Sequence, residues 1–203
     1  MIQRPEPRLI LASASATRRA VLEAAGIRFT AEAAAVDEAA IKESARAEKL
    51  PPGEATILLA DAKAHRIARR APEALVIGAD QLLVCEGRWF DKPADMAAAR
   101  EQLLALRGRP HELVTAVVCW RHGERAWHHL ARPRLVMREF SDEFLDAYLA
   151  AEGERILSSV GAYRLEGMGV HLFRSVQGDH SAILGLPLLP LLDFLRGHGV
   201  LLG

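Results

Sequence analysis

The stretch from Leu75 to Pro93 constrains the fold and the chemistry of this chain more than any other. It begins with Leu75-Val76-Ile77, an apolar run of branched residues that is closed by Gly78 and is typical of a buried strand in an α/β sheet. Asp80 and Gln81 follow, at the predicted end of that strand. Because ligands of open α/β sheets bind at the carboxyl ends of strands, we expect a functional site here.

A lysine returns after this carboxylate, within the same stretch. Lys92 follows a predicted turn at Glu86-Gly87-Arg88, and Pro93 restricts it to extended backbone geometry. A carboxylate at the end of a buried strand needs a cation or a donor as its partner. Asp80 and Lys92 therefore suggest a metal-assisted or phosphate-handling site. The same residues also fit a surface turn with two solvated charges, and this stretch alone does not decide between the two.

A second candidate site follows the first predicted strand, Arg8–Ala12. The segment Ser13–Arg19 combines hydroxyl side chains with Arg18 and Arg19, and a helical pattern then continues to Ala25. Free backbone N–H groups and the positive end of the helix dipole make such a helix start a suitable anion site. Arginine adds planar, bidentate contacts to phosphate. We favour a phosphate site here over an ordinary capped helix with two solvated arginines.

Between these two sites the sequence contains a further acidic pair and a predicted helix. Val36-Asp37-Glu38 supplies the acidic pair, and the charged segment Ala39–Pro52 is interpreted as a mobile helix or loop. Glu54–Arg70 has one apolar stripe at helical spacing and predicts a helix. Lys63 lies in this helix, and the pattern alone assigns it to a solvated face.

The second half of the chain predicts helices at 94–106, 141–151 and 187–197, strands at 112–120 and 125–140, and a glycine-flanked loop at 161–167. Apolar runs on both sides of Gln177–His180 are interpreted as a hairpin. Strands alternate with helices early in the chain and pair as hairpins later. This order predicts an α/β fold whose mixed sheet has an antiparallel part.

Composition narrows the classes of protein and of partner. The chain has 203 residues, of which 50% are hydrophobic, so a substantial globular core is expected. Lys plus Arg and Asp plus Glu each total 26, and this zero net charge gives no reason to expect nucleic acid or a membrane surface as a partner. Cys85 and Cys119 lie in apolar runs without metal-ligand spacing, which favours buried thiols in a reducing cytoplasm.

Seven segments, in this order, resemble the Maf family of nucleoside triphosphate pyrophosphatases. The matching residues are Leu11-Ala12-Ser13-Ala14-Ser15-Ala16-Thr17-Arg18-Arg19, Val36-Asp37-Glu38, Ala60-Asp61-Ala62-Lys63-Ala64, Gly78-Ala79-Asp80-Gln81, Lys92-Pro93, Gly161-Ala162-Tyr163-Arg164-Leu165-Glu166-Gly167 and Gly185-Leu186-Pro187. The resemblance runs from about Leu9 to the C-terminal helix, nearly the whole chain.

The resemblance implies an α/β fold with a mixed twisted sheet and flanking helices, similar to inosine triphosphatase. It implies one domain over residues 1–203, with two lobes around a deep cleft, and a homodimer. Members of the family hydrolyse nucleoside triphosphates to the monophosphate and pyrophosphate with Mg²⁺ or Mn²⁺, as house-cleaning enzymes of nucleotide metabolism. Some members are linked to arrest of septum formation, so a regulator of division without physiological catalysis is the alternative from another class.

The resemblance also implies roles for individual residues. Asp80 matches the general base, and Lys63 and Lys92 match further catalytic positions. Glu38, together with Asp80, would hold the divalent metal. The substrate-binding positions are Ser13, Ser15, Thr17, Arg18, Arg19, Gln81 and Glu166. Positive groups at these places suit the reaction, since cleavage between the α and β phosphates puts charge on the leaving pyrophosphate.

Three positions separate a branch of the family that acts on 7-methyl-GTP from one that acts on dTTP and UTP. The first branch has tryptophan, glutamine and glutamate there, and the second has arginine, threonine and glutamine. This chain has Thr17, Gln81 and Glu166, so two of the three match the 7-methyl-GTP branch. Thr17 matches neither branch and lacks an aromatic ring to stack on a cationic base. A preference for dTTP and UTP, or a broad specificity, stays the alternative.

Overall fold

The computed structural model describes residues 2–203 and contains, within that range, eight strands and seven α-helices. The strands are β1 (Leu9–Leu11), β2 (Thr30–Ala31), β3 (Leu75–Cys85), β4 (Arg88–Phe90), β5 (Pro110–Arg121), β6 (Glu124–Ala131), β7 (Arg134–Met137) and β8 (Phe173–Gln177). The helices are α1 (Ala16–Ala24), α2 (Glu38–Ala47), α3 (Pro52–Ala68), α4 (Met96–Leu106), α5 (Asp142–Glu152), α6 (His180–Ile183) and α7 (Leu188–Gly197). Short 3₁₀ turns cover Gly153–Ser158, Val160–Ala162 and Met168–Leu172.

The strands form one mixed sheet in the order β2-β1-β3-β5-β7-β8, with β4 paired to β3 and β6 paired to β5. β1 runs parallel to both β2 and β3, whereas the pairs β3–β4, β5–β6, β5–β7 and β7–β8 are antiparallel. This confirms the predicted α/β class, with parallel pairing early in the chain and hairpins later.

The chain divides into two compact units. The first unit comprises the residues up to Asp80, Thr115–Ala131 and His180–Gly203, and the second comprises Gln81–Val114 and Arg132–Asp179. The boundary falls inside β3, between Asp80 and Gln81. The implied single domain with two lobes around a cleft stays a prediction.

In the first unit, β1 and β3 form the centre of the core. Their fully buried side chains pack with α1 and α7, through residues such as Leu22 of α1 and Leu191 of α7. A second cluster joins Ile10 and Val76 to Ala64 and Ile67 on the inner face of α3. The apolar stripe that predicts α3 therefore does pack against the sheet.

The sequence predicts that the strand is closed by Gly78, but β3 continues to Cys85. What ends there is its pairing with β1, whose last parallel partner is Ile77. Gly78 is required by a close approach, because a Cβ on it would lie 2.2 Å from the carbonyl oxygen of Ala60 in α3. Asp80 therefore lies within the strand, just beyond the stretch that pairs with β1.

The second unit has its own buried residues, including Leu103 of α4, Leu135 of β7 and Tyr148 of α5. His111 is also buried here, and its Nε2 lies 3.0 Å from the hydroxyl of Tyr163. Burial lowers the pKa of His111 from 6.5 to about 4. His111 is therefore a neutral core residue at physiological pH.

One local prediction is corrected by the structure and another is narrowed. The proposed hairpin around Gln177–His180 is wrong, because β8 pairs with β7 and His180 begins the short helix α6. The charged segment Ala39–Pro52, predicted as a helix or a loop, lies largely in helix α2, which has Asp37 as its N-cap. A side chain that accepts from the first turn stabilises such a helix even when its sequence is strongly charged.

Candidate functional site

The centre of the candidate site in the first unit is an ion triad around Lys63. The Lys63 ammonium lies 2.5 Å from Oδ1 of Asp80 and 2.8 Å from Oε1 of Glu38. Lys63 is only 8% exposed and Asp80 only 5%, whereas the Glu38 side chain is 45% exposed. The assignment of Lys63 to a solvated helix face is therefore wrong.

Two local features of the chain bring these charges together. Asp37 caps α2 through the Ala40 N–H and so places Glu38 at the first helical position. Gly78 lets β3 approach α3 closely, which places Asp80 within reach of Lys63. The periodicity of α3 does not reveal this contact, because a lysine beside an apolar stripe ordinarily reaches solvent.

The triad has an excess of negative charge, with two carboxylates on one ammonium. A buried carboxylate is costly unless it is paired, and Lys63 supplies that partner for Asp80. Lys63 contacts one of the two carboxylate oxygens of Asp80. The other oxygen, Oδ2, accepts no hydrogen bond from residues 2–203 and is the atom through which Asp80 can act on a water or a cation.

The start of α1 forms the second part of the site in the first unit. Ser15 is the N-cap, and its Oγ accepts from the backbone N–H of Arg18. Ser13 is buried, and its Oγ accepts from the backbone N–H of Ser15 and from Nη1 of Arg18, both at 3.2 Å. Across the described chain, no acceptor contacts the N–H groups of Ala16 and Thr17. These are first-turn donors that a helix cannot satisfy itself, as an anion site requires.

Arg18 is held by Gly185, a residue for which the sequence predicts no role. Its Nε donates to the carbonyl oxygen of Gly185 at 2.8 Å. Gly185 has φ +94°, and a Cβ there would lie 3.2 Å from the same Nε. In the sequence, Gly185 is marked only by the Gly185-Leu186-Pro187 segment of the family resemblance. Its left-handed backbone conformation explains why glycine is suited to this position.

The Arg18 guanidinium is a permanent cation in a poorly hydrated place. Burial lowers its pKa from the ordinary value, while the negative charges of Asp80 and Glu38 act to raise it. Arginine nevertheless stays protonated at any ordinary pH. Nε and Nη1 are engaged, and Nη2 donates to no group within residues 2–203. An anion is therefore a suitable further partner. Arg19, by contrast, is exposed.

The remaining predicted residues belong to the second unit. Gln81 follows Asp80 in β3 and is half-buried, and Lys92 is exposed two residues after β4. Glu166 is exposed, and its Oε1 lies 3.4 Å from Nε of Arg164. Their roles in binding or catalysis stay predictions.

The donor set of the triad fits a hard divalent cation. Glu38 and Asp80 offer carboxylate oxygens, which Mg²⁺ and Mn²⁺ prefer. Among the described residues there is no group of three or more His, Cys, Asp or Glu side chains placed to hold a metal. Mg²⁺ is commonly held by one or two carboxylates together with substrate phosphates and water, so two ligands are sufficient.

In residues 2–203, no helix combines the length and the apolar character needed to cross a membrane.

Comparison with known proteins identifies the family. The family model described as "Maf-like protein" matches residues 8–198. A nucleoside triphosphate pyrophosphatase of Granulibacter bethesdensis is 57% identical over 96% of this chain and 98% of its own. One of Paramagnetospirillum magneticum is 56% identical over 95% and 99%. A 7-methyl-GTP pyrophosphatase of Rhizobium meliloti is 47% identical over 97% and 98%. The chain belongs to the Maf-like protein family.

Proposed function

We propose that this chain is a hydrolase that cleaves nucleoside triphosphates to the monophosphate and pyrophosphate. The observation that carries the proposal is the triad of buried Lys63 and Asp80 with half-exposed Glu38. It lies in the same unit as Arg18, which the Gly185 carbonyl oxygen and Ser13 hold at the start of α1. The names of the relatives support the same activity. A protein that only binds nucleotides has no need of a buried carboxylate that is poised by a lysine.

The α1 start supplies the phosphate-binding groups. Arg18 contributes a fixed positive charge, and the N–H groups of Ala16 and Thr17 contribute donors at the positive end of the helix. Ser13 and Gly185 hold the guanidinium before substrate binds. Such preorganisation matters because charge develops on the leaving pyrophosphate in the transition state.

Asp80 is the proposed general base. Lys63 holds it at one oxygen, and the other oxygen can accept a proton from the attacking water. Lys63 also places a positive charge beside the reacting phosphate. Lys92 is proposed as a further cation for the phosphates, as the family resemblance implies.

Glu38 and Asp80 are the proposed ligands for Mg²⁺ or Mn²⁺. When bound, the cation would supply positive charge that offsets the negative charge of the phosphates. Asp80 is thus proposed both as the general base and as a metal ligand. Lys63 suits this double role because its ammonium neutralises one carboxylate charge in the absence of the cation. The Glu38 side chain is 45% exposed, so a cation from solvent can reach its carboxylate.

For the base, we propose a preference for guanine nucleotides, with 7-methyl-GTP as the leading substrate. The relatives from Rhizobium meliloti and Rhizobium etli are named 7-methyl-GTP pyrophosphatases, at 47% and 45% identity. Glu166 can accept from the N1 and N2 donors of guanine, and Gln81 is the second matching position. Thr17 matches neither branch and offers no ring to stack on a cationic base, so dTTP and UTP or a broad set stays the alternative.

We expect kcat/KM for 7-methyl-GTP and GTP to exceed that for dTTP and UTP. The physical reason is that the Glu166 carboxylate can accept from both the N1 and N2 donors of guanine, whereas a pyrimidine such as uracil offers one N–H donor, at N3. The measurement is pyrophosphate release from each of the four nucleotides with Mg²⁺ and with Mn²⁺. Faster turnover of dTTP and UTP than of both guanine nucleotides would overturn the preference and promote the pyrimidine alternative.

Substituting Arg18 by alanine should raise KM for every triphosphate by about 10- to 100-fold, the equivalent of one or two charge-assisted hydrogen bonds. Folding should change little, because the side chain is only half-buried. The matched comparison is Arg19→Ala, which removes the neighbouring exposed arginine. Equal KM values for Arg18→Ala and the wild type would show that Arg18 is an ordinary helix residue.

A further inference from the structure

The second unit contains a buried acidic residue that the proposed mechanism does not use. Glu152, the last residue of α5, is only 4% exposed. Its Oε1 accepts from the backbone N–H of Met168 at 3.0 Å, and its Oε2 accepts from Nη1 of Arg164 at 3.2 Å. Gly167 permits this approach, because a Cβ on it would lie 2.9 Å from Oε1 of Glu152.

These contacts link Glu152 to the segment that carries Glu166. Arg164 lies between two carboxylates, with Nη1 on Glu152 and Nε 3.4 Å from Oε1 of Glu166. The segment is also folded back on itself, since the Gly167 N–H donates to the Arg164 carbonyl oxygen. A Cβ on Gly169 would lie 2.4 Å from that oxygen. The backbone around Glu166 is therefore held from both sides.

Glu152 and Glu166 differ in the freedom of their side chains. Glu152 is fixed at both oxygens by a backbone N–H and a guanidinium. Glu166 is exposed, and Arg164 is the ion-pair partner that the structure gives it. An exposed glutamate has several rotamers, and choosing one of them for hydrogen bonding to a base costs conformational entropy. A rigid arginine fork that is itself anchored can reduce that cost.

We propose that Glu152 is a positioning residue that, through Arg164, orients the carboxylate of Glu166 for selection of the base. This rests on the proposed function, in which Glu166 accepts from guanine. Neither Glu152 nor Arg164 needs to touch the substrate. Their effect is on the discrimination between bases rather than on cleavage of the phosphoanhydride bond.

The test measures kcat and KM for GTP and UTP on four variants. Arg164→Gln removes the bridge and should lower the ratio of kcat/KM for GTP over UTP by about tenfold, the equivalent of one charge-assisted hydrogen bond. The loss should appear in KM for GTP, with kcat for UTP within about twofold of wild type. Glu152→Gln should act in the same direction, because its amide cannot accept from Arg164 with the nitrogen. Glu166→Gln gives the loss of this ratio when the base-binding carboxylate itself is removed, and the other variants are compared with it.

Arg155→Gln is the matched control. Arg155 is exposed and also lies near Glu152, at 3.7 Å, but it has no contact with Glu166. The GTP over UTP ratio should therefore stay at the wild-type value in this variant. If Arg164→Gln does not fold, Arg164→Lys replaces it, since one ammonium can hold one carboxylate but cannot bridge both as a fork. An intermediate ratio is expected for that variant.

The double variant Arg164→Gln with Glu166→Gln separates positioning from general structural support. If Arg164 acts through Glu166, the second substitution adds no further loss of the ratio. An equal fall of kcat/KM for GTP and UTP in Arg164→Gln, or an unchanged ratio in a folded variant, overturns this inference alone. Wild-type protein that releases pyrophosphate from no nucleotide overturns the proposed function and this inference with it.

Discussion

Asp80→Asn is expected to fold and to bind nucleotide but to lose about 100- to 10,000-fold in kcat, the usual cost of removing a general base. The substitution keeps the volume of the side chain and removes the proton acceptor together with one carboxylate for the cation. Lys63 keeps Glu38 as an ion-pair partner in the variant, so the fold should survive. The measurements are steady-state pyrophosphate release and thermal unfolding of the purified variant.

The matched control for this variant is Asp61→Asn. Asp61 lies in α3, two residues before Lys63, and its Oδ1 accepts from Nε1 of Trp120 at 2.9 Å. It does not contact Lys63 in the part of the chain that the structure describes. Its loss should leave kcat within about threefold of wild type, as for a substitution away from the chemistry. Near-wild-type kcat in Asp80→Asn would remove Asp80 from the mechanism.

Lys63→Met is expected to lower kcat by about 100- to 1,000-fold, the range for loss of one preorganised electrostatic group. Methionine keeps the length of the side chain but leaves Asp80 and Glu38 without the shared ammonium. The variant should also unfold more readily, because removal of one member of a buried ion pair leaves an uncompensated charge. Lys49→Met, at an exposed position after α2, is the matched control and should show neither effect.

The pair Lys63 and Asp80 should also behave as one unit. In that case the double variant Lys63→Met with Asp80→Asn loses little more kcat than the worse single variant. Multiplicative losses would show instead that the two residues act independently. That result would contradict the part of the account in which Lys63 holds the base.

The sequence predicts the helices and strands of this fold well where hydrophobic periodicity agrees with the capping and turn residues. Helix α5 forms where a helix over 141–151 is predicted, and the Oγ of Ser141 caps it by accepting from the Phe144 N–H. The turn predicted at Glu86-Gly87-Arg88 joins β3 to β4, with positive φ at Glu86 and Gly87. The strands predicted at 112–120 and 125–140 do pair, as β5 and β6, across a turn at His122-Gly123. These features depend on the conformational preferences of residues close together in the chain, which can be inferred from the sequence.

The errors arise where contacts distant in sequence decide the outcome. Gly78 looks like the end of a strand, but its lack of a side chain serves the packing of α3 on β3. Lys63 looks solvated, but its ammonium is bound by residues 25 positions before it and 17 positions after it. The link between Arg18 and the Gly185 carbonyl spans 167 positions, and periodicity carries no information on it.

The sequence indicates the candidate site most directly where charged and hydroxyl side chains cluster within a few residues. Ser13 and Ser15 directly precede α1, Arg18 lies in its first turn, and the three residues contact each other. The roles of Glu38 and Lys63 came only from the family resemblance, because an acidic pair and a helical lysine do not by themselves indicate a site. The triad that they form with Asp80 gives that resemblance a physical basis in this chain.

The central claim is that this chain cleaves nucleoside triphosphates between the α and β phosphates. The most direct measurement is identification of the products by ³¹P NMR after incubation of wild-type protein with GTP, 7-methyl-GTP and UTP in the presence of Mg²⁺ or Mn²⁺, with Asp80→Asn as the paired sample. The account predicts equal amounts of nucleoside monophosphate and pyrophosphate from the wild type, and a rate that is strongly reduced in the variant. Release of nucleoside diphosphate with inorganic phosphate, or no product with either metal, would contradict it.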